Sequence, residues 1–190
     1  MTQVGRPSIN KTFILNKSLE IYWKEGLDKY SFNEIIQKIK VSRTTIYKLF
    51  SNEANFQYQT LMLYNKIVIK EWTAKIKKTN EVLPLLNDMI QGIIDNKYTP
   101  CLYNRAKLNK NLLSPKSLNL INNIERLMYK TWLNIIKKNL KKKSIEDPKK
   151  LTFFLLSQIT LLNNLKRNNA NKEELSSIRD IINSKLSQDL

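Results

Sequence analysis

The segment "SFNEIIQKIKVSRTTIYKLF", Ser31–Phe50, contains two helix starts in close succession. Ser31 is followed three positions later by Glu34, the spacing of a capping box, in which each side chain bonds the other residue's backbone amide. Ser42 is a second capping residue, and Ile46 and Phe50 lie one helical turn apart beyond it. The segment therefore predicts two short helices, about 32–38 and 43–50, joined by a tight turn, which is the layout of a helix-turn-helix.

The flanking residues predict a helix on either side of this motif. The preceding helix ends at Gly26, and its apolar residues recur at intervals of three and four: Phe13, Ile14, Leu15, Leu19, Tyr22 and Trp23. A fourth helix begins near Ser51 or Asn52 and continues to about Lys78, a length of roughly 40 Å. We therefore predict an N-terminal domain at 1–58, with a polar arm before its first helix, and a second domain at 59–190.

The second domain is predicted to be helical throughout. Ser114-Pro115 and Asp147-Pro148 each place a capping side chain before a proline at the first helical position. Asn171 and Glu174 repeat the capping-box spacing. Three Gly and five Pro in 190 residues leave few tight turns for strands. The expected fold class is all-α.

The residue inventory excludes several kinds of chemistry. The chain has no His and one Cys, Cys101, so it has no His-based catalytic triad, no Cys/His zinc site and no intrachain disulfide. It also has no evident carboxylate pair on one helix face, and we expect neither catalysis nor a cofactor. No signal-like segment or stretch long enough for a membrane span is present, which favours a cytoplasmic protein.

The formal charge of +17 favours a nucleic-acid partner, because Lys and Arg that neutralise phosphates release counterions. Residues 1–58 hold nine basic and five acidic side chains, however, and the remaining residues hold 24 basic and 11 acidic ones. Most of the excess therefore lies outside the helix-turn-helix, and a general compositional bias explains much of it.

The segment "FILNKSLEIYWKEGLDKYSFNEIIQKIKVSRTTIYKLFSNEANF", Phe13–Phe56, resembles the DNA-binding domain of the TetR family of bacterial transcriptional regulators. The matching features are Gly26 after the first helix, Ser31 at the start of the second, Val41-Ser42 at the turn, and Tyr47 with Phe50 in the third. The resemblance implies a homodimeric repressor that binds double-stranded DNA at a palindromic operator, and a C-terminal domain that binds a small-molecule effector.

Several positions differ from the family's usual pattern. Ile36, Ile39 and Lys40 stand where small residues and a turn Gly are common, so we expect Lys40 to adopt a backbone conformation that Gly takes more easily. Glu53 stands where a Lys often meets a phosphate, and Leu49 stands where a polar or aromatic residue is frequent. These differences put the corresponding DNA contacts in doubt.

The third helix has a polar face that suits a major groove. Its leading residues Arg43, Thr44 and Thr45 are predicted to read bases, and Tyr47 and Lys48 to contact phosphates. The weaker candidates, for which helix capping or solvation is the alternative, are Ser31 and Lys11, with Arg6 in the arm. The predicted DNA-contacting residues are thus Lys11, Ser31, Ser42, Arg43, Thr44, Thr45, Tyr47 and Lys48.

Two further sets of residues are predicted in the second domain. Candidates to line an effector pocket, with core packing as the alternative, are Trp72, Met89, Tyr98, Cys101, Tyr103, Met128, Trp132 and Phe153. The last two helices carry more apolar residues than one core-facing stripe needs, which favours a four-helix dimer interface. Its predicted residues are Leu151, Phe154, Leu155, Gln158, Leu162, Leu175, Ile178 and Ile182. The scarcity of acidic residues in this domain disfavours a cationic effector.

Two other functions are consistent with the sequence. The chain could bind nucleic acid without sequence preference through its lysine clusters, such as Lys141–Lys143. Alternatively, it could be an enzyme or ligand carrier with a vestigial helix-turn-helix.

Overall fold

A computed structural model describes residues 10–142 and 144–190, and this part of the chain is folded into α-helices without strands. The all-α prediction is therefore confirmed. The polar arm with Arg6 lies outside the described residues, as does Lys143. The helices are α1 (Lys11–Glu25), α2 (Phe32–Lys38), α3 (Arg43–Phe50), α4 (Glu53–Tyr64), α5 (Lys70–Lys78), α6 (Val82–Ile94), α7 (Leu102–Leu108), α8 (Pro115–Asn139), α9 (Pro148–Arg167) and α10 (Lys172–Asp189).

The predicted caps begin the helices where the sequence indicates. Both capping boxes, Ser31 with Glu34 and Asn171 with Glu174, are complete in the structure. Ser42 accepts a hydrogen bond from the Thr45 amide and begins α3. Pro occupies the first position of α8 and of α9. Short-range side-chain chemistry thus sets the boundaries of most helices.

The predicted fourth helix is interrupted by one wide turn. Between α4 and α5 the chain forms a π-helical turn at Asn65–Ile69, where the Lys70 amide donates to the Asn65 carbonyl. Such a turn shifts the register of the side chains that follow it. α4 and α5 therefore make one continuous rod whose two parts present different faces.

The first core surrounds the buried ring of Phe56. The rings of Tyr22 in α1, Phe32 in α2 and Phe50 in α3 lie 6.5, 5.9 and 5.2 Å from it, centre to centre. The four N-terminal helices therefore meet at one side chain. This core continues past the predicted domain boundary at residue 58, because Leu102, Tyr103 and Ala106 of α7 and Ile121 of α8 are buried in the same cluster.

The second core lies among α5, α6, the C-terminal half of α8, α9 and α10. Trp132 is its largest buried side chain, and Leu86, Leu155 and Ile182 are buried with it. Met128 of α8 is partly buried against both cores. The two cores are therefore contiguous along α8.

Polar contacts join the N-terminal helices to α7. Arg105 binds both carboxylate oxygens of Asp28, at 3.0 and 3.3 Å. Although partial burial opposes it, the hydrogen bond from Arg105 holds the pKa of Asp28 below its usual value. A Cβ at Gly26, where φ is +90°, would lie 2.1 Å from the Arg105 side chain. Gly26 therefore both ends α1 and leaves room for this ion pair.

The turn between α2 and α3 contains a strained residue. Lys40 has φ of 56°, as expected from the missing Gly. The Lys40 amide donates to Gln37 and the Val41 amide donates to Ile36, which is a Schellman motif. Asn96, two residues after α6, and Asn169, two residues after α9, also have φ of 60°, but Asn tolerates this conformation better than Lys does.

We expect Lys40→Gly to raise the free energy of unfolding by about 1 kcal/mol, because Gly takes positive φ without a Cβ clash. The measurement is equilibrium urea unfolding. Lys40→Ala is the matched control, since it removes the same charge but keeps the Cβ and should give no gain. Equal stability of the two variants would contradict the interpretation.

Candidate DNA-binding surface and ligand cavity

Helix α3 has one buried and one exposed face. Ile46 and Phe50 are buried in the first core together with Val41. The opposite face exposes the predicted contact residues Ser42, Arg43, Thr44, Tyr47 and Lys48. Thr45 is half-buried, and its hydroxyl lies 2.8 Å from the Ser42 hydroxyl, so the cap already uses part of its hydrogen-bonding capacity.

The Arg43 side chain is held by its neighbours. Its guanidinium carbon lies 5.7 Å from the centre of the Phe32 ring and 6.0 Å from that of Tyr47. These two rings stack on each other at 6.3 Å. One carboxylate oxygen of Glu53 accepts hydrogen bonds from Arg43 at 3.5 Å and from the Tyr47 hydroxyl at 3.2 Å. The position flagged as unusual in the sequence therefore contacts two of the predicted DNA-binding residues.

The two weaker DNA-contact candidates, Lys11 and Ser31, have different neighbours. The Lys11 ammonium is 5.2 Å from the centre of the Phe50 ring, which places it beside the end of α3. The Ser31 hydroxyl donates to Glu34 at 2.7 Å and also accepts from the Glu34 amide. The capping alternative therefore explains the Ser31 side chain, whereas Lys11 remains a predicted phosphate contact.

A cavity of about 890 Å³ lies beside the junction of the two cores. All eight residues proposed from the sequence as pocket candidates are at its wall: Trp72, Met89, Tyr98, Cys101, Tyr103, Met128, Trp132 and Phe153. Several of them also belong to the two cores, so the core-packing alternative applies to those residues. Trp132 and Tyr103 are buried, and Phe153 is 71% exposed at the cavity edge.

Sequence reasoning missed part of the cavity wall. Trp23 of α1 lines the cavity, where its ring packs edge-on against Tyr64 at 5.2 Å and its indole N–H donates to the Pro100 carbonyl. Tyr129 of α8 and the π-helical residues Ile67–Ile69 also line it. The apolar periodicity of α1 identified Trp23 as inward-facing, but only the tertiary structure shows that it faces a cavity.

The cavity wall is largely apolar, with eight aromatic residues among the 28 that line it, and its two carboxylates are paired with lysines. Glu71 pairs with Lys75 at 3.1 Å, and Glu125 pairs with Lys107 at 2.6 Å. Burial raises the pKa of the Tyr64 phenol well above its usual value, and burial also raises that of Tyr103. Both phenols therefore stay neutral, and the Tyr103 hydroxyl donates to the Leu61 carbonyl. The arrangement suits an apolar, flat ligand better than a cation.

Five of the eight predicted dimer residues are buried within the chain, so their assignment to an interface is corrected, and the other three are partly exposed. Leu151, Leu155, Leu162, Leu175 and Ile182 are buried in the chain's own second core, so their side chains offer no contact surface. Phe154, Gln158 and Ile178 are partly exposed. The apolar residues exposed on the same two helices are Phe153, Leu161 (41%) and Ile181 (50%). A period of 3.6 marks an apolar face without telling which partner covers it.

One lysine of the cluster at 141–143 is used within the fold. The Lys141 ammonium donates to the carbonyls of Ser187 and Gln188 at the end of α10, so this lysine has a structural role.

Within the described residues no cluster of three His, Cys, Asp or Glu side chains could hold a metal ion. No helix in that part of the chain combines the length and apolar character needed to cross a membrane.

Solved structures of transcriptional regulators share this architecture. A TetR-family regulator from Cytophaga hutchinsonii aligns with a TM-score of 0.78 at 14% sequence identity, over 94% of this chain and 93% of that one. A TetR regulator from Legionella pneumophila gives 0.73 at 14% identity, over 95% and 99%. A cysteine mutant of the TetR-family regulator CifR, solved with a 26-bp double-strand operator DNA, gives 0.71 at 13% identity, over 93% and 98%.

No protein-family model matches the chain, and no curated protein shows significant similarity to it. The structural agreement nevertheless covers nearly the whole chain. The protein has the fold of the TetR-family transcriptional regulators, as the resemblance over Phe13–Phe56 predicts.

Proposed function

We propose that this protein is a DNA-binding transcriptional regulator, a homodimeric repressor that releases its operator when a small molecule occupies the cavity. The observation that carries the proposal is α3 itself, whose buried face is anchored in the first core while Arg43, Thr44, Tyr47 and Lys48 are exposed together. A helix presented in this way can enter a major groove by its N-terminal end. The proposed role is regulatory and not enzymatic.

Two copies of α3 must lie about one helical turn of DNA apart, roughly 34 to 36 Å, to read both half-sites of an operator. A dimer through α9 and α10 supplies the necessary two-fold symmetry. In this proposal the partly exposed Phe154 and the exposed Leu161 and Ile181, and not the buried residues of the same helices, form the contact.

The cavity supports an effector that is flat, apolar, and uncharged or anionic. The eight aromatic residues of its wall favour stacking, and the carboxylates that could attract a cation are already paired with lysines. Trp23, which belongs to α1, lines the cavity, and so does part of the π-helical turn that follows α4. Both α1 and α4 belong to the group of N-terminal helices that includes α3. An occupant can shift the regulator only if it prefers the conformation that does not bind DNA.

Selection of bound duplexes from a random DNA pool should yield two inverted half-sites. Arg43→Ala should weaken binding to the selected duplex by about tenfold or more and relax its sequence preference, the range expected for a base-reading side chain. The measurement is fluorescence anisotropy with selected and scrambled duplexes.

Lys142→Ala is the matched control for that experiment, because it also removes one exposed positive charge. It should change the affinity for both duplexes little. If Lys142→Ala weakened both duplexes as much as Arg43→Ala did, non-specific binding through the lysine clusters would be the better description.

Leu161→Asp or Ile181→Asp should convert the dimer to monomers, because each places a charge in the proposed interface. Sedimentation equilibrium measures the mass directly. Leu108→Asp is the control, since Leu108 is 66% exposed on α7 and lies outside that interface. The proposal is wrong if all three variants stay dimeric.

All three tryptophans of the chain line the cavity, so their fluorescence should report its occupant. We expect 1-pyreneacetate to quench it and 1-pyrenemethylammonium, a cation with the same ring system, to bind at least about tenfold more weakly. Asn104→Phe, which narrows the cavity, should reduce quenching. Asn134→Phe, on an exposed position of α8, should not. Equal binding of the two pyrenes would exclude the proposed effector class.

A further inference from the structure

Glu53 contacts the DNA-facing side of α3 in a way that the proposed function does not require. Its carboxylate oxygen accepts from the Arg43 guanidinium at 3.5 Å and from the Tyr47 hydroxyl at 3.2 Å. The side chains of Arg43 and Glu53 are about half exposed, at 51% and 47%. One acidic group therefore engages two of the donors that the protein would turn toward DNA.

A DNA phosphate and a carboxylate can accept hydrogen bonds from the same donors. Both are anionic oxygen acceptors, and charge-assisted hydrogen bonds from Arg suit either one. A phosphate that approaches Tyr47 must replace the carboxylate there, and the two negative charges repel each other. Resting on the proposed function, we propose that Glu53 is an internal competitor of the DNA backbone, which lowers the affinity of the protein for every duplex.

The geometry favours competition over a role in orienting Arg43. The Phe32 and Tyr47 rings already hold the guanidinium from the side of the helix. The structure gives Glu53 no hydrogen bond to Thr44 or Lys48, which are exposed on the same face. Loss of the carboxylate should therefore leave Arg43 in place and free the Tyr47 hydroxyl for a phosphate. Its effect should then be the same for selected and unselected sequences.

Glu53 can be changed without removing the cap of α4. The N-cap of α4 is Asn52, whose side chain accepts from the Asn55 amide, so Glu53→Gln keeps the cap and the size of the side chain. Glu20→Gln is the matched control, because Glu20 is also an exposed acid of the N-terminal helices and pairs with Lys17. Both variants raise the net charge by one.

The test is fluorescence anisotropy over a series of salt concentrations, with the selected duplex and a scrambled duplex of the same composition. Glu53→Gln should tighten binding to both duplexes by about threefold to tenfold. The salt dependence should steepen by about one phosphate contact. Glu20→Gln should change both affinities by less than about twofold, because Glu20 is exposed, pairs with Lys17 and is screened by salt.

Two results would overturn the inference while leaving the proposed function intact. Affinities for Glu53→Gln equal to those of Glu20→Gln would show that the carboxylate does not compete. Weaker binding of the selected duplex alone would show that Glu53 orients Arg43 for base reading. Failure of the wild-type protein to select any duplex would instead refute the proposed function itself. Thermal unfolding of each variant verifies that the comparison is made between folded proteins.

Discussion

The packing of Tyr22, Phe32 and Phe50 on the ring of Phe56 holds the four N-terminal helices together. It brings four helices to one buried point, and it fixes which face of α3 is turned away from solvent. A short helix of eight residues has little stability alone. Its orientation, and with it the exposure of its polar face, comes from this aromatic cluster.

The helix that contains Phe56 leads directly to the cavity. Phe56 lies in α4, which continues through the π-helical turn into α5, and the turn itself forms part of the cavity wall. Trp23 of α1 lines the cavity from the side of the N-terminal helices. The two cores also meet along α8, where Met128 packs against both. The cavity wall therefore directly contacts α1 and the end of α4, the helices that pack against α3.

Local chemistry explains why much of the fold could be predicted from the sequence. Ser31 with Glu34 and Asn171 with Glu174 begin helices through contacts three residues apart, and such contacts are visible in the sequence. The interface residues could not be predicted in the same way, because Leu155 and Phe154 are both apolar neighbours on one helix and only packing shows that the first is buried.

Five of the eight pocket candidates are aromatic residues that follow the predicted boundary at residue 58, and all eight lie at the cavity wall. Trp23 was missed because its helix lies before that boundary. The contact of Glu53 with Arg43 joins residues ten positions apart across a turn. The sequence marked Glu53 as unusual, and the three-dimensional structure shows that it contacts Arg43 and Tyr47.

In the proposed function, occupation of the cavity and DNA binding by α3 are coupled. The most direct measurement is the affinity for the selected duplex with and without saturating 1-pyreneacetate, together with the reciprocal titration. We expect the ligand to weaken DNA binding, and the duplex to weaken ligand binding by the same factor, as linkage requires. Simultaneous binding with neither affinity changed would contradict it.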